Sequence, residues 1–415
     1  MRLRRGNVKM KILMVNKFLY PRGGSESYML KLGKQLEKSG HEVEYFGMYD
    51  EKNTVGNSAE QYTGNMDFHT SSPGRLLYPF RIIYSADAYK KIGRVLDSFK
   101  PDIVHMNNIN FQLTPSIIYA VKKRNIPLVQ TVHDYQMICP NHLLYNFSEC
   151  KACTRCVDGS RWNCLRYRCI HASGIKSLLG VIEGTLYSAL GTYRLIDLYI
   201  CPSRFLEKKL LAANSFYSGK TYTVHNFISK LKPDKCKEEK EPYIVFVGRL
   251  SGEKGVELLA KAAGMLPGYK FVVAGNGPDE AVLHGLKNIH LAGFLGGAEL
   301  ARVIASARAL IAPSICYENC PLSILEAHSM GVPVITMDSG GMAELVEDGV
   351  TGILIRKPEP DCVAEAVRRV MDDKEFCGRL RENCEKQVEN ILSVEDYCDI
   401  MLGKYHELIA RRQSV

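Results

Sequence analysis

Four side chains in this 415-residue sequence have types and spacings suited to chemistry on a charged, hydroxyl-rich molecule: Glu318 and Glu326, with seven residues between them, and Arg249 and Lys254, five apart. Glu318 falls in the Tyr317-Glu318-Asn319 turn that follows the apolar run ARALIAP. Glu326 falls on the next helix, which Pro321 is expected to open at the first helical position, where its missing N–H costs nothing. The N–H groups of Leu322 and Ser323 then emerge from a helix N-terminus, a place suited to a phosphate or a sugar hydroxyl. A carboxylate does not face a phosphate comfortably, so the glutamates suit hydroxyl groups. That set describes a sugar nucleotide, with one acid for the sugar, one for the ribose and the phosphates between. Arg249 and Lys254 lie in Gly248-Arg249-Leu250-Ser251-Gly252-Glu253-Lys254-Gly255, where a rigid guanidinium fork and a point charge can stabilise a departing β-phosphate. The sequence has no Asp-x-Asp pair to bind a metal, so no cofactor is expected to be required for catalysis.

These residues need a scaffold that brings loop ends together. Lys11 to Val15 reads as a short strand running into Gly23-Gly24 and a helix, and Tyr243 to Val247 reads as another running into the Arg249 loop. Lys270 to Ala274 leads into Gly275-Asn276-Gly277-Pro278, and Pro127 to Val132 is a buried strand that exits into His133-Asp134. Strand, glycine turn and helix is the opening of a nucleotide-binding unit, and ligands of open parallel sheets bind at the strands' carboxyl ends. Its occurrence in both halves fits a chain too long for one core. The last helix, from about Val394 to Ala410, is a candidate to fold back on the first half.

The charge is lopsided. Residues 1–240 hold 36 Lys and Arg against 20 Asp and Glu, a net +16, whereas residues 241–415 hold 18 against 25, a net −7. An anionic partner for the first half follows. No nucleic-acid-binding motif accompanies the charge, so no nucleic acid is expected, and an anionic membrane surface or an acidic, lipid-linked acceptor fits better. The segment from Gly74 to Ile83, continuing to Lys90, Lys91 and Arg94, mixes cations with large apolar groups and reads either as a surface-bound helix or as one packed inside. The apolar run near the N-terminus is shorter than a secretory core, and no stretch is long enough to span a bilayer. The expected location is cytoplasmic, at the inner face of the membrane if the cationic half binds there.

Glu318-x7-Glu326, followed by Gly331-Val332-Pro333-Val334, the Gly340-Gly341 turn, Glu344 and Asp348-Gly349, resembles the donor-site signature of the retaining glycosyltransferases of family 4. The resemblance implies an α/β protein of the GT-B fold, two Rossmann-like doubly wound parallel-sheet domains facing across a cleft. It implies transfer, with retention, from a nucleoside-diphosphate sugar to a hydroxyl of a lipid-linked or polysaccharide glycan of the cell envelope, exopolysaccharide or capsule. It places an active-site histidine at His133, with Arg249, Lys254 and Glu318 completing the catalytic set. Gly23, Gly24, Gly275, Gly277, Asn319, Leu322, Ser323 and Glu326 form the donor-binding set, and Asp134 is expected to orient His133. The corresponding domain limits are 1–230, a linker at 231–242, 243–393, and a terminal helix at 394–415. Competing readings are another GT-B enzyme, such as a sugar-nucleotide epimerase or a phosphorylase, and a non-catalytic nucleotide-sugar binder. Phe227 stands where the family carries glycine, which weakens a role for Asn226.

A Cys-rich insertion at 139–169 departs from the family pattern. Cys139, Cys150, Cys153, Cys156, Cys164 and Cys169 crowd into 31 residues with Arg155, Arg161, Arg166 and Arg168. Disulfides are disfavoured in a reducing cytoplasm, and Cys-x2-Cys-x2-Cys followed by two more cysteines has metal-site character, although the spacing is not that of a standard zinc finger; a structural zinc, an iron–sulfur cluster and unliganded thiols are the readings it leaves open.

Overall fold

A computed structural model describes residues 9–64, 83–229 and 242–413. The first sheet joins β1 (Lys11–Val15), β2 (Glu42–Phe46), β3 (Ile103–Met106) and β4 (Leu128–Thr131). After a two-residue hairpin of β5 (Tyr145–Asn146) and β6 (Lys151–Ala152), the chain returns to it with β7 (Leu198–Cys201) and β8 (Thr221–Thr223). The order is β2-β1-β3-β4-β7-β8, all parallel. The second sheet is built from β9 (Tyr243–Val247), β10 (Lys270–Ala274), β11 (Ile289–Gly293), β12 (Ala309–Ala312), β13 (Val334–Met337) and β14 (Gly352–Ile355). Its order, β11-β10-β9-β12-β13-β14, is again wholly parallel. Central strands such as β3, β4 and β13 are buried along their whole length, as a sheet covered by helices on both faces requires.

Strand order reverses between β1 and β3 in the first sheet and between β9 and β12 in the second, and crevices open at such reversals. Register fixes which loops share each crevice. Val15 lies opposite Met106, so Asn16 and Asn107 leave the first sheet side by side. Ile311 lies opposite Phe246, so the loops after Val247 and Ala312 leave the second together.

The terminal helix, Val394–Gln413, belongs physically to the first sheet. Its Tyr397, Cys398, Met401, Tyr405 and Leu408 share one core with Met10, Ile12, Met14, Tyr28 and Leu32. A buried polar chain runs through that core. Tyr405 Oη bonds His105 Nδ1 at 2.5 Å, His105 Nε2 bonds Thr131 Oγ1 at 2.7 Å, Thr131 meets Tyr28 Oη at 3.0 Å, and Tyr28 meets Tyr397 Oη at 2.8 Å. Every member is paired, which is the condition for tolerating polar groups at such depth.

Some sequence expectations shift here. The stretch from about Val181 to Leu190 reads from sequence as an amphipathic helix; in the structure that helix spans Gly174–Ala189, capped by Ser173 Oγ, which accepts from Lys176 N at 3.3 Å. Gly174, Gly180 and Gly184 dilute the apolar periodicity that would have placed its start. All but the last residue of the expected linker, and the cationic segment from Gly74 to Arg81, lie outside the described residues. Among the described residues no helix is long and apolar enough to cross a membrane.

Candidate functional site

The second sheet's crevice is a set of loops that bond one another. After β9 the chain turns through Gly252–Lys254, where Ser251 Oγ donates to Glu253 Oε1 at 2.6 Å and the Glu253 carbonyl accepts from Ile315 N at 3.0 Å. This ties the Lys254 loop to the loop after β12. Lys254 Nζ consequently donates to Glu318 Oε1, which also takes Ser314 Oγ at 3.0 Å and Cys316 Sγ at 3.7 Å. Burial pushes the Glu318 carboxyl up, but the Lys254 ammonium and these hydrogen bonds outweigh it and hold it below the usual range. Burial opposes the Lys254 charge, and Glu318 overcomes that penalty to raise the lysine instead. Arg249 stays exposed and makes no ion pair with the described residues.

Glycines set how closely these loops approach. A Cβ on Gly275, whose φ is +151°, would stand 1.8 Å from the Gly248 carbonyl oxygen, and one on Gly277 would stand 2.1 Å from that of Leu250. The two glycines therefore serve the packing of the Arg249 loop. Gly341 N donates to the Glu318 carbonyl at 2.7 Å, and a Cβ there would lie 1.6 Å from the Asn319 carbonyl oxygen. The Gly340-Gly341 turn is thus the backing plate of the Glu318 turn.

Pro321 sits one residue earlier than expected. Its φ of −61° is fixed by the ring, but its ψ of 123° is extended, so it precedes the helix Leu322–Ser329. Leu322 and Ser323 keep their places in the first turn, with N–H groups that have no acceptor within the helix. Glu326, one turn on, makes a long ion pair with Lys31 of the first domain at 4.0 Å, and burial raises its carboxyl while Lys31 pulls it back.

Facing this edge are the loops of the first sheet. Gly23 precedes the helix Gly24–Lys38, and Gly24 comes so close to Leu322 that a Cβ would stand 3.8 Å from its Cδ1. His133 follows β4. Its Nε2 bonds Asn107 Oδ1 at 3.0 Å, and an amide oxygen only accepts, so Nε2 carries the hydrogen. Burial pushes the imidazole down to about 4, against a small opposing pull from Asp134. The ring is neutral at physiological pH and offers Nδ1 as an acceptor. Asp134 does not orient it, contrary to expectation: its carboxylate accepts from Asn110 Nδ2 and from Gln136 N at 3.0 Å, pinning the following loop. Asn107 takes that role, and its position at the exit of the strand beside β4 was the available signal.

Asn319 reaches across the cleft, its Nδ2 donating to the His133 carbonyl at 2.9 Å, while its buried Oδ1 has no partner. Glu344 also crosses, accepting from the backbone N–H of Arg204 at 2.9 Å and of Phe205 at 2.6 Å, with His225 Nε2 at 3.3 Å. Asn226, set aside because Phe227 follows it, donates Nδ2 to the Cys320 carbonyl at 2.9 Å. The structure thus gathers His133, Gly24, Lys254, Glu318, Asn319, Leu322 and Glu326 along one cleft.

Cys139, Cys153, Cys156, Cys164 and Cys169 line a cavity of about 10 Å³ with Asn141 and Tyr145. Cys150 does not join them: it is exposed, its left-handed backbone turns it outward, and its Sγ donates to the Phe147 carbonyl at 3.4 Å.

Residues 22–230 match the model of Glycosyltransferase Family 4, and residues 227–387 match that of Glycosyl transferases group 1. The Escherichia coli protein named O-antigen biosynthesis glycosyltransferase WbnH is 28% identical over 358 residues, covering 82% of this chain and 91% of its own. The Alpha-D-kanosaminyltransferase of Streptomyces kanamyceticus is 33% identical over 181 residues, 40% of this chain and less than half, 46%, of that protein. Among solved structures, sucrose-phosphate synthase from Thermosynechococcus elongatus superimposes with a TM-score of 0.70 at 17% identity, covering 97% of this chain and 100% of the other. Anabaena Alr3699/HepE, solved in complex with UDP and glucose, does so with 0.65 at 19% identity over 98% and 99%. At such identities the structural likeness carries the fold alone.

Proposed function

The chain belongs to glycosyltransferase family 4, and on that premise we propose that it moves a sugar from a nucleoside-diphosphate sugar to a hydroxyl of a cell-envelope glycan, with retention and without a metal. The observation that carries the reading is the convergence of Lys254, Glu318 and the Leu322 helix N-terminus on the crevice of one sheet, facing His133 and Gly24 on the other. The diphosphate lies over the N–H groups of Leu322 and Ser323, with Arg249 and Lys254 taking up the charge that grows on its leaving oxygen. Glu318, released from Lys254 as the phosphate takes the ammonium, accepts from sugar hydroxyls. Glu326 holds the ribose. His133 accepts a hydroxyl hydrogen through Nδ1.

In the transfer, the bond between the anomeric carbon and the phosphate oxygen breaks, and the acceptor oxygen bonds the same face of that carbon. The acceptor's proton passes to the departing phosphate. One guanidinium and one ammonium donor suit this without a metal because both carry full positive charge where the charge of the phosphate grows. A cell-envelope acceptor is supported by the WbnH relative and by the +16 charge of residues 1–240. An anionic membrane face is supported by Ile175, Ile182, Leu186 and Leu190, exposed at helical spacing beside Lys176. Sedimentation with anionic vesicles at low salt tests this last point, and failure to bind leaves a soluble enzyme acting on an acidic acceptor.

The deciding experiment is a screen of purified protein against UDP-, GDP- and ADP-sugars, read as thermal shift and as nucleotide release, with the product's anomeric configuration assigned by NMR. One donor class is expected to stabilise and to turn over in the presence of EDTA. An inverted product or a strict metal requirement would overturn the corresponding part.

A further inference from the structure

Between Cys139 and Ala172 the chain forms a lobe with little to hold it together. Its regular structure is the β5–β6 hairpin and the single-turn helix Asn163–Arg166. Cys139 and Leu144 pack into the core of the first sheet, but the rest of the lobe has a core of only Cys164, Cys169 and Val181, with Cys156, Leu165, Tyr167 and Ile170 around them. Six of the eleven non-glycine residues with left-handed φ among the described residues fall here: His142, Leu144, Cys150, Arg168, His171 and Ala172. Such backbone persists only where its surroundings over-determine it, and a segment this small cannot do so by apolar burial alone.

We propose that the lobe is closed by one zinc ion in the cysteine-lined cavity, bound by four thiolates drawn from Cys139, Cys153, Cys156, Cys164 and Cys169. The five come from four separate turns of chain, so one ion would fasten the β4 exit, the Cys153-x2-Cys156 turn and the segment around Asn163–Arg166 to each other. The cavity, at about 10 Å³, has room for one small ion. In their present positions no three Cys, His, Asp or Glu side chains among the described residues are drawn closely enough together to hold a metal. Loading therefore includes rotation of the thiols inward about their Cα–Cβ bonds. Cys139 Sγ, which now donates to Asn141 Oδ1 at 2.9 Å, would exchange that partner for the ion. Four thiols release four protons to solvent as four Zn–S bonds form, leaving a local charge of −2. Arg155, stacked 4.3 Å over Tyr167 and paired with Glu149, and Arg161, whose Nη2 donates to the Met137 carbonyl at 3.4 Å, stand ready to offset it.

The site would act on the cleft through backbone. Cys139 N donates to the Tyr135 carbonyl at 2.8 Å, His142 N to the Cys139 carbonyl at 2.9 Å, and Tyr135 N back to the His142 carbonyl at 3.0 Å. His142 Nδ1 and the Asp134 carboxylate share Asn110 Nδ2, and His133 precedes Asp134. Zinc would thus position the His133 loop without touching substrate.

Metal analysis of full-length protein, purified under reducing conditions with no added chelator, tests the proposal. About one equivalent of zinc is expected, retained by Cys150→Ser, whose thiol lies outside the cavity, and lost or reduced at least tenfold in the double variant Cys153→Ser/Cys156→Ser, which leaves only three of the five cavity thiols. Should the double variant fail to fold, the wild-type protein still decides: removing the metal with a strong chelator should expose four additional titratable thiols and lower the unfolding midpoint. Zinc below about a tenth of an equivalent, iron in its place, or disulfides among these cysteines in the reduced preparation would each overturn the assignment.

Discussion

The two edges of the cleft are built by opposite strategies. On the second domain, Lys254, Ser314, Cys316 and Glu318 are joined by bonds between adjacent loops of one sheet, reinforced by Glu253 and the Gly340-Gly341 turn. On the first, the strand and helix that position His133 lean on residues from the other end of the chain. Tyr28, whose ring meets His133 edge-on at 4.9 Å, is held by Tyr397, and His105 is held by Tyr405, 300 residues away. One edge is locally self-sufficient, whereas the other exists only once the terminal helix has returned.

Removing residues 394–415 should break the comparison most completely. Tyr397, Cys398, Met401, Tyr405 and Leu408 would leave the core, and burial of each large apolar side chain contributes about 1.5–3 kcal/mol. The sum rivals the whole stability of a typical domain. The truncated chain should yield no soluble protein with cooperative unfolding of the first domain, as followed by circular dichroism. A well-folded truncated protein would show that the first edge stands by itself.

Acid is the next strongest lever. Burial pushes His105 down to about 3, and His133, His142 and His328 down to about 4. Below the ordinary value of 6.5 the unfolded chain takes up protons that these folded sites refuse, so stability is lost as pH falls from 6.5 toward 4. Each histidine costs on the order of 1.4 kcal/mol per pH unit across that window. Glu183, raised by burial to about 7, works in the opposite direction over part of it. Three of the four histidines lie in the first domain, more than the single opposing Glu183 offsets, so thermal unfolding measured between pH 7 and 5 should show that domain loosening first. A midpoint independent of pH would mean that these rings find no cost in ionising.

Arg249→Ala and Lys254→Ala should each reduce turnover ~10² to 10³-fold, the loss typical of one donor to a developing oxyanion. Arg249→Ala should do so without shifting the unfolding midpoint, since its side chain is exposed. Wild-type rates with an identified donor would remove either residue from the catalytic set. A smaller effect is expected from Tyr405→Phe, which leaves His105 Nδ1 buried without its partner at a cost of about 1–3 kcal/mol. The unfolding midpoint should drop by several degrees while turnover at saturating donor is retained. A loss of turnover instead would couple the terminal helix to His133 chemically as well as structurally.

This contrast also explains what the sequence disclosed. The Glu318-x7-Glu326 spacing, the Arg249 to Lys254 interval and the glycine turns are short-range patterns, and the second domain's edge is made of short-range contacts. The alternation of strand, turn and helix announced both parallel sheets. By contrast, the pairing of His133 with Asn107, the reach of Asn319 to the His133 carbonyl and the clasp of Glu344 on Arg204 and Phe205 join residues 26 to 186 positions apart. Nothing in a linear reading of Asp134 beside His133 tells that its carboxylate turns away toward Asn110. Nor does the even crowding of six cysteines tell that five line a cavity and Cys150 does not. Those outcomes depend on which way the backbone turns after folding.

In the contact between Lys254 and Glu318 the two charges of the cleft neutralise each other. On the proposed reading, a free nucleoside diphosphate entering the cleft would draw the ammonium away and strand a carboxylate with no cation beside it. An intact nucleotide sugar would answer both groups at once, phosphate to Lys254 and hydroxyls to Glu318. The pair should therefore weigh against the spent nucleotide and in favour of the loaded one, so that product leaves more readily than donor. Glu318→Gln, which keeps the shape and removes the stranded charge, should narrow the gap between the two affinities measured by calorimetry. An unchanged gap would place the discrimination elsewhere in the cleft.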